Sequence, residues 1–323
     1  MTALSIVIIN FRTADLTIDC LASLAAERDT GVDAFVIVVD NASGDGSDDA
    51  IEQAIEHRGW GDWATLERAP DNLGFSGGNN YGLRYCRPGD AVLLLNSDTV
   101  VHPGCLDAAV QALNAEPDIA ILSCLLLEAD GEVQNITRRF PTPARLTAQS
   151  LGLPWYLPAL FGWADTEDLE WDRRGTARDV DWVGGAFMLL RRSFVDEHGL
   201  LDERFFFYGE DIEVCHRARK FGMRVRYDPS GSITHLGGGS SAPASVGDDR
   251  FSRLRWLARY EVQRACYGRW ASAWLRGLDL FVGAARVVRA SLPLGGSSTA
   301  AERIGQFQTL LRVQGWTGGG KTA

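Results

Sequence analysis

The sequence predicts an α/β protein: a mainly parallel central sheet flanked by helices, with a C-terminal helical extension. Three observations carry this reading. Apolar, β-branched runs recur at residues 4–10, 34–40 and 91–95, as in strands buried on both faces. Helical spacings separate them, as with Leu16, Cys20, Leu21 and Leu24. From residue 251 to 292 a basic, aromatic pattern of helical character replaces the alternation.

Residues 4–10 (LSIVIIN) form the first strand. No basic segment precedes them, so the start reads as a strand and not a signal peptide. A helix through Leu16–Leu24 follows, and residues 34–40 (AFVIVVD) are the second strand. Ser47 is placed to cap a helix through Ile51 and Ile55. Residues 63–68 make a short third strand and 91–95 (AVLLL) a fourth. This β-α-β-α-β order predicts parallel strands under covering helices. Sites in such sheets lie beyond the carboxyl ends of the strands. Those ends are polar here: Asn10, Asp40-Asn41 and Asn96-Ser97-Asp98.

The second half is less regular. Residues 118–127 continue the strand pattern, and Asp130-Gly131 reads as a turn. Residues 150–171, rich in Leu, Trp, Pro and Phe, read as an irregular lobe or flap. Residues 180–190 are strand-like around Gly184-Gly185. A helix over 210–221 ends at Gly222, and a strand follows at 223–227. These elements divide into a domain over residues 1–249 and an extension over 250–323.

Composition bounds the function. The 323 residues are 46% apolar, 23% charged and 10% aromatic, which suits a folded globular chain. No apolar run approaches the about 20 residues that span a bilayer, so a transmembrane protein is excluded. The six cysteines form no Cys-x-x-Cys pair, against a disulfide scaffold or zinc site and for a reducing compartment. Residues 1–249 hold 20 basic against 39 acidic residues, a charge of −19; residues 250–323 hold 12 against 3, a charge of +9. An acidic body with a basic tail is not a nucleic-acid-binding pattern.

Five segments carry residue types suited to chemistry. Residues 38–47 (VVDNASGDGS) end a strand in Asp40, whose carboxylate can accept hydrogen bonds from a base or ribose. An ordinary βα turn explains the same residues. Residues 71–82 (DNLGFSGGNNYG) place glycines and amides, Asn79 among them, at a helix start. Backbone N–H groups there suit a phosphate, or the glycines serve close packing. In residues 93–99 (LLLNSDT) a buried strand delivers Asp98. A hard cation shared with a diphosphate needs only one or two protein oxygens. Capping of a helix near Pro103 by Asp98 or Thr99 is the alternative. Residues 202–213 set Glu210 and Asp211 after an aromatic run, where one can serve as a base or both can suit a helix N-terminus. His235, before glycines, can ligate a metal.

With residues 181–192 (DWVGGAFMLLRR) added, these motifs occur in an order that resembles the family 2 glycosyltransferases, inverting sugar-nucleotide enzymes of the GT-A fold. The likeness is greatest to the bacterial branch containing rhamnosyltransferases of cell-wall and O-antigen assembly, and spans residues 4–240. The resemblance implies a divalent cofactor, Mg2+ or Mn2+. Asp98 then ends an Asp-x-Asp-type motif in which Asn96 replaces the first aspartate, so the metal rests on Asp98 and His235. Asn10, Asp40, Asn79 and Ser97 fall on the nucleotide side, Asp211 is the catalytic base, and Trp182, Gly184 and Glu210 line the acceptor side. The implied donor is a nucleoside diphosphate sugar, first L-rhamnose from a dTDP-sugar, with UDP-hexoses and other deoxysugars as alternatives. The implied acceptor is a glycan or polyprenyl-linked glycan. One base suffices, because a nucleoside diphosphate leaves without a general acid, whereas a glycosidase needs two carboxyl groups.

Two competing readings remain at this level. A sugar-nucleotide pyrophosphorylase would want a basic loop near the first strand, where only Arg12 stands. A non-catalytic nucleotide-sugar-binding protein would not need Asp98, Asp211 and His235 together. In the tail, residues 250–290 hold nine arginines against Glu261 and Asp279, interleaved with aromatics. That mixture suits peripheral contact with an anionic membrane from the cytoplasmic side. Packing on the catalytic domain and a homodimer interface are the alternatives.

Overall fold

A computed structural model describes residues 2–28, 31–167, 175–237 and 249–291. The chain divides into two compact units, Met1–Arg139 with Asp168–Ala242, and Phe140–Glu167 with Pro243–Ala323. The domain boundary expected at 249/250 therefore gains a second element: residues 140–167 group with the C-terminal segment. Residues 168–171 of the expected lobe and 292–323 of the extension lie outside the described residues.

In chain order the first unit opens with β1 (Thr2–Asn10), α1 (Ala14–Ala25), β2 (Val32–Asp40), α2 (Ser47–His57), β3 (Ala64–Arg68) and α3 (Gly74–Leu83). It continues with β4 (Ala91–Asn96), β5 (Thr99–Val101), α4 (Cys105–Ala115), β6 (Ile119–Leu127) and β7 (Thr137–Arg138). The second unit contributes α5 (Pro143–Ser150), α6 (Leu153–Tyr156), α7 (Pro158–Phe161) and a 3-10 turn at Gly162–Ala164. The first resumes with β8 (Arg178–Asp179), β9 (Trp182–Val183), β10 (Phe187–Arg191), α8 (Arg192–His198), α9 (Glu210–Lys220) and β11 (Arg224–His235). The helices α10 (Asp249–Tyr267) and α11 (Arg269–Ser291) belong to the second unit.

The sheet runs β3-β2-β1-β4-β10-β6-β11-β5, with β8 also on β11. The parallel expectation holds for β3-β2-β1-β4 and for β6–β11. β10 runs antiparallel to β4 and β6, and β5 and β8 antiparallel to β11, so the sheet is mixed. Ile6, Val7, Ile8, Val36–Val39 and Leu93 are fully buried, which is why these strands read as unbroken apolar runs.

Two helix caps differ from expectation. Ser47 is the first residue of α2, not its cap: Gly46 in the left-handed conformation precedes it, and Ser47 Oγ donates to Asp45 Oδ1. α4 starts at Cys105 after left-handed Gly104, so neither Asp98 nor Thr99 caps it; Thr99 begins β5. The glycines of α3 serve packing. A Cβ on Gly82 would lie 2.6 Å from Val7 Cγ1 and 3.0 Å from Val39 Cγ2, so only glycine lets α3 sit this close to β1 and β2.

The second unit has its own core of Leu146, Tyr260 and Leu275, with Trp256, Leu257 and Leu280 against it. Asp279 is buried there, accepting from Ser150 Oγ (2.9 Å) and the Tyr260 hydroxyl (3.2 Å) and facing Arg259 Nε (3.5 Å).

Candidate active site

Register brings the strand ends together. Asn10 pairs with Asp40 across β1–β2, and Ile9 pairs with Asn96 across β1–β4. Asn10 is fully buried and its Nδ2 donates to Asp40 Oδ1 (2.7 Å) and to Ser43 Oγ (3.2 Å). Ser43 in turn donates to Asp40 from Oγ (2.5 Å) and from its backbone N (3.1 Å). Thr13 donates from Oγ1 to Asn10 Oδ1 (3.2 Å) and lies 3.3 Å from Ser97 Oγ. Asn10, Asp40 and Ser97 thus share one hydrogen-bonded cluster. Asn79 does not join it. It is buried in α3, its Nδ2 donating to Phe75 O at 2.9 Å within its own helix.

The start of α3 is likewise satisfied within the protein. Leu73 N donates to Asn41 Oδ1, Gly74 N to Asn72 Oδ1 and Phe75 N to Phe206 O. Three backbone N–H groups of this glycine-rich entry thus have partners within the protein.

A second cluster forms where β11 meets β5. His235 pairs with Thr99, and Leu236 N donates to Asp98 O at 2.9 Å. His235 Nε2 lies 3.3 Å from Asp98 Oδ1 and 3.4 Å from Asn96 Nδ2. Its Nδ1 lies 2.9 Å from Gln134 Oε1. A carbonyl oxygen can only accept, so Nδ1 donates to Gln134 and Nε2 is the ring nitrogen turned toward Asp98. Histidines that bind metals are oriented in this way by a second partner. Among the described residues no three His, Cys, Asp or Glu groups converge. The donor set is one carboxylate and one imidazole, which fits a cation completed by phosphate oxygens and water. Residues 238–241, which follow His235, lie outside the described residues.

A third cluster sits at the start of α9. Tyr208 (φ 71°) and Gly209 (φ 94°) both take left-handed backbone before Glu210. Among the described residues three non-glycine residues have positive φ: Arg12, Ala42 and Tyr208. Each lies two residues from Asn10, Asp40 or Glu210. Backbone strain of this kind concentrates at functional sites. α9, which begins with Glu210 and Asp211, packs on β9, the strand of Trp182. Trp182 donates from Nε1 to Arg139 O (3.1 Å), and Gly184 N donates to Ile136 O (3.0 Å).

Burial dominates the electrostatics of the acid pair. Glu210 is buried, and its Oε2 has no hydrogen-bond partner. Desolvation, then the neighbouring Asp211 charge, pushes its pKa up to about 8. Desolvation also raises Asp211, to about 6, against the lowering effect of the Ile212 N–H at 2.8 Å and of the Arg138 charge. Both carboxyl groups therefore hold a proton to higher pH than a free carboxylate does, Glu210 more so than Asp211.

Short contacts link the clusters. Asn96 N donates to Ala186 O at 3.0 Å, so the Gly184-Gly185 turn stands beside the end of β4. The segment after β6 links the remaining parts: Gln134 holds His235, Ile136 holds Gly184, and Arg138 pairs with Trp182 and faces Asp211. Gln134 and Arg138 carry no motif in the sequence. Only their place opposite His235 and Trp182 reveals them.

Buried amides at parallel strand ends, a carboxylate–imidazole pair and a raised-pKa acid pair together suit an enzyme acting on a phosphorylated donor. Comparison with known proteins makes this specific. A family model described as glycosyl transferase family 2 matches residues 5–164. The chain is 31% identical over 225 residues to the low-salt glycan biosynthesis hexosyltransferase Agl10 of Haloferax volcanii, covering 69% of this chain and 63% of that protein. It is 30% identical over 224 residues to the N-acetylglucosaminyl-diphospho-decaprenol L-rhamnosyltransferase of Mycobacterium tuberculosis, covering 66% of this chain and 68% of that one. The mannosyltransferase PcManGT from Pyrobaculum calidifontis, solved with GDP-Man and Mn2+, shares the fold. The TM-score is 0.56 at 18% identity, over 97% of this chain and 82% of that one. The chain belongs to glycosyl transferase family 2 and is a glycosyltransferase of GT-A fold. The pyrophosphorylase and non-catalytic readings fall away.

Proposed function

We propose that this enzyme is a metal-dependent, inverting transferase that moves a sugar from a nucleoside diphosphate donor to a hydroxyl of a glycan or polyprenyl-linked glycan in cell-envelope polysaccharide synthesis. L-rhamnose from a dTDP-sugar is the first candidate. The name of the mycobacterial relative supports both that sugar and a lipid-linked acceptor. The observation that carries the proposal is the link between the Asp98–His235 pair and the Glu210–Asp211 pair through residues 134–138, where Gln134 meets His235 and Arg138 faces Asp211.

Asn10, Asp40 and Ser97 hold the nucleoside, with Asn79 shaping α3 behind them. Asp98 and His235 would hold the divalent ion, Mg2+ or Mn2+. When bound, that ion offsets charge on the leaving diphosphate. Trp182, Gly184 and protonated Glu210 seat the acceptor, Glu210 donating its O–H to an acceptor oxygen. Asp211 takes the proton from the attacking hydroxyl. The oxygen displaces the nucleoside diphosphate from the opposite face of the anomeric carbon, so one displacement inverts it. The six free cysteines, four of them buried, suit a reducing compartment. The reading places the enzyme in the cytoplasm against the inner face of the plasma membrane.

A panel of nucleotide sugars offered with a polyprenyl-linked glycan, with mass detection of the product, tests this. Addition of one deoxyhexose from a dTDP-sugar is expected. Transfer confined to another sugar would correct the donor, and transfer of none would overturn the proposal.

A further inference from the structure

We propose that the second unit carries a docking surface for an anionic lipid bilayer, built from two apolar patches that its own packing leaves uncovered. The proposal rests on the peripheral placement above and gives it a surface.

The first patch lies in residues 146–164, nineteen positions without one charged residue. Folding buries Leu146, Ala148 and Ala164 but leaves the large side chains of its middle exposed. Trp155 is 86% exposed, Leu160 67% and Tyr156 66%, and Trp163 is also exposed. Arg145 and Asp165 bound the stretch. The short helices α6 and α7 and the 3-10 turn thus hold indole, phenol and leucine side chains in water. Isolated apolar residues on a surface need no explanation, but a contiguous group does.

The second patch is the outward stripe of α11. Trp270 (75% exposed), Trp274, Gly277, Phe281 and Val288 recur at spacings of four, three, four and seven, so they share one face. Every exposed residue described between 270 and 288 is Trp, Phe, Val, Ala or Gly. Among the described residues, Ser272 and Asp279 are buried beside Leu275. This inverts the polarity of a helix on a water-facing surface. The patches are joined through α5, which packs on both α6 and α11; Trp274 Nε1 donates to Thr147 Oγ1 at 3.0 Å.

Charge selects the occupant. Residues 250–290 carry nine arginines against two acids, so a second copy would set one cationic segment against another. An anionic bilayer complements it. Exposed tryptophan and tyrosine are the side chains that settle at headgroup depth. Arg269 lies over the exposed Trp270 ring at 5.0 Å, placing a cation beside an indole that would enter the interface. Among the described residues no helix is long and apolar enough to cross a membrane, so this contact lies along the surface.

Flotation of the full chain with vesicles of phosphatidylcholine alone, or with added phosphatidylglycerol, at low and high salt, tests the surface. No glycan acceptor is present in the vesicles. The wild type is expected to float with anionic vesicles at low salt and to be released at high salt. Trp155→Ser with Leu160→Ser, and separately Trp270→Ser with Phe281→Ser, should each weaken partition on the order of ten-fold. Their melting temperatures and nucleoside diphosphate binding should match the wild type. Flotation of either double variant as well as wild type, or no preference for anionic vesicles, would overturn the proposal. So would a dimer in light scattering that the same substitutions dissolve without any vesicle binding. A wild type that binds nucleoside diphosphate but floats with no vesicles rejects the surface alone. Intact flotation with no donor binding rejects the catalytic reading alone.

Discussion

At Asp211 stability and chemistry make opposite demands. Its pKa is raised to about 6, chiefly by desolvation. The native state therefore holds the proton more tightly than the unfolded chain. The resulting stabilisation is fully present below the ordinary carboxylate range and is lost as pH rises through about 6. The proposed catalysis needs the other form, since only the carboxylate can accept the acceptor's proton. Transfer is expected to fall on the acid side with a midpoint near 6. Asp211→Asn should lower transfer by about 10²–10⁴-fold, leave donor binding intact, and raise the melting temperature above pH 7. Wild-type turnover in that variant would move the base to Glu210.

The Asp98–His235 pair makes a separate prediction. Asp98→Ala and His235→Ala should each weaken metal-dependent binding of a nucleoside diphosphate in titration calorimetry. Gln134→Ala should weaken it by about 10–100-fold, because His235 then loses the partner that fixes its tautomer. Unchanged binding in all three would make them structural residues. Most of these residues were legible in the sequence, because Asp98, Glu210, Asp211 and His235 each follow a recognisable strand or turn. Gln134 and Arg138 were not, because neighbours distant in sequence define them.

At the scale of elements, legibility follows burial. β1, β2 and β4 are buried on both faces and read directly as apolar runs. β5 has only three residues, too few for a periodic signal, and its Asp98-Thr99 entry reads equally well as a cap. β11 runs to His235 rather than stopping at 227, because Asp228-Pro229-Ser230-Gly231 is a shift in register and not a turn. Proline is accommodated at such irregularities. The close approach of α3 to the sheet gives this scale its prediction. Gly82→Ala, with its Cβ driven against Val7 and Val39, should cost about 1–3 kcal/mol in denaturant unfolding. Gly61→Ala, which meets no heavy atom within 4 Å, serves as the control. Equal stability of the two variants would show that α3 can move outward freely.

For the whole molecule, charge and packing divide the chain differently. Charge changes sign near residue 250, and that change was visible in the sequence. The grouping of residues 140–167 with α10 and α11 was not, because it rests on pairs such as Ser150 with Asp279 and Gln263 with Pro141 O. Asp279→Ala should destabilise the second unit by about 1–3 kcal/mol, since it strips partners from Ser150, Arg259 and the Tyr260 hydroxyl. Thermal unfolding monitored by tryptophan fluorescence checks this, and an unshifted transition would contradict it.

The central claim is that Asp98 and His235 support metal-dependent departure of a nucleoside diphosphate while Asp211 activates the acceptor. Its most direct test is release of nucleoside diphosphate from a sugar nucleotide in the presence of a polyprenyl-linked glycan, with Mn2+ or Mg2+, after chelation, and after metal is restored. The account predicts release with metal, none after chelation, and recovery on restoration. Release at the same rate under chelation, or none with any donor when metal is supplied, would contradict it.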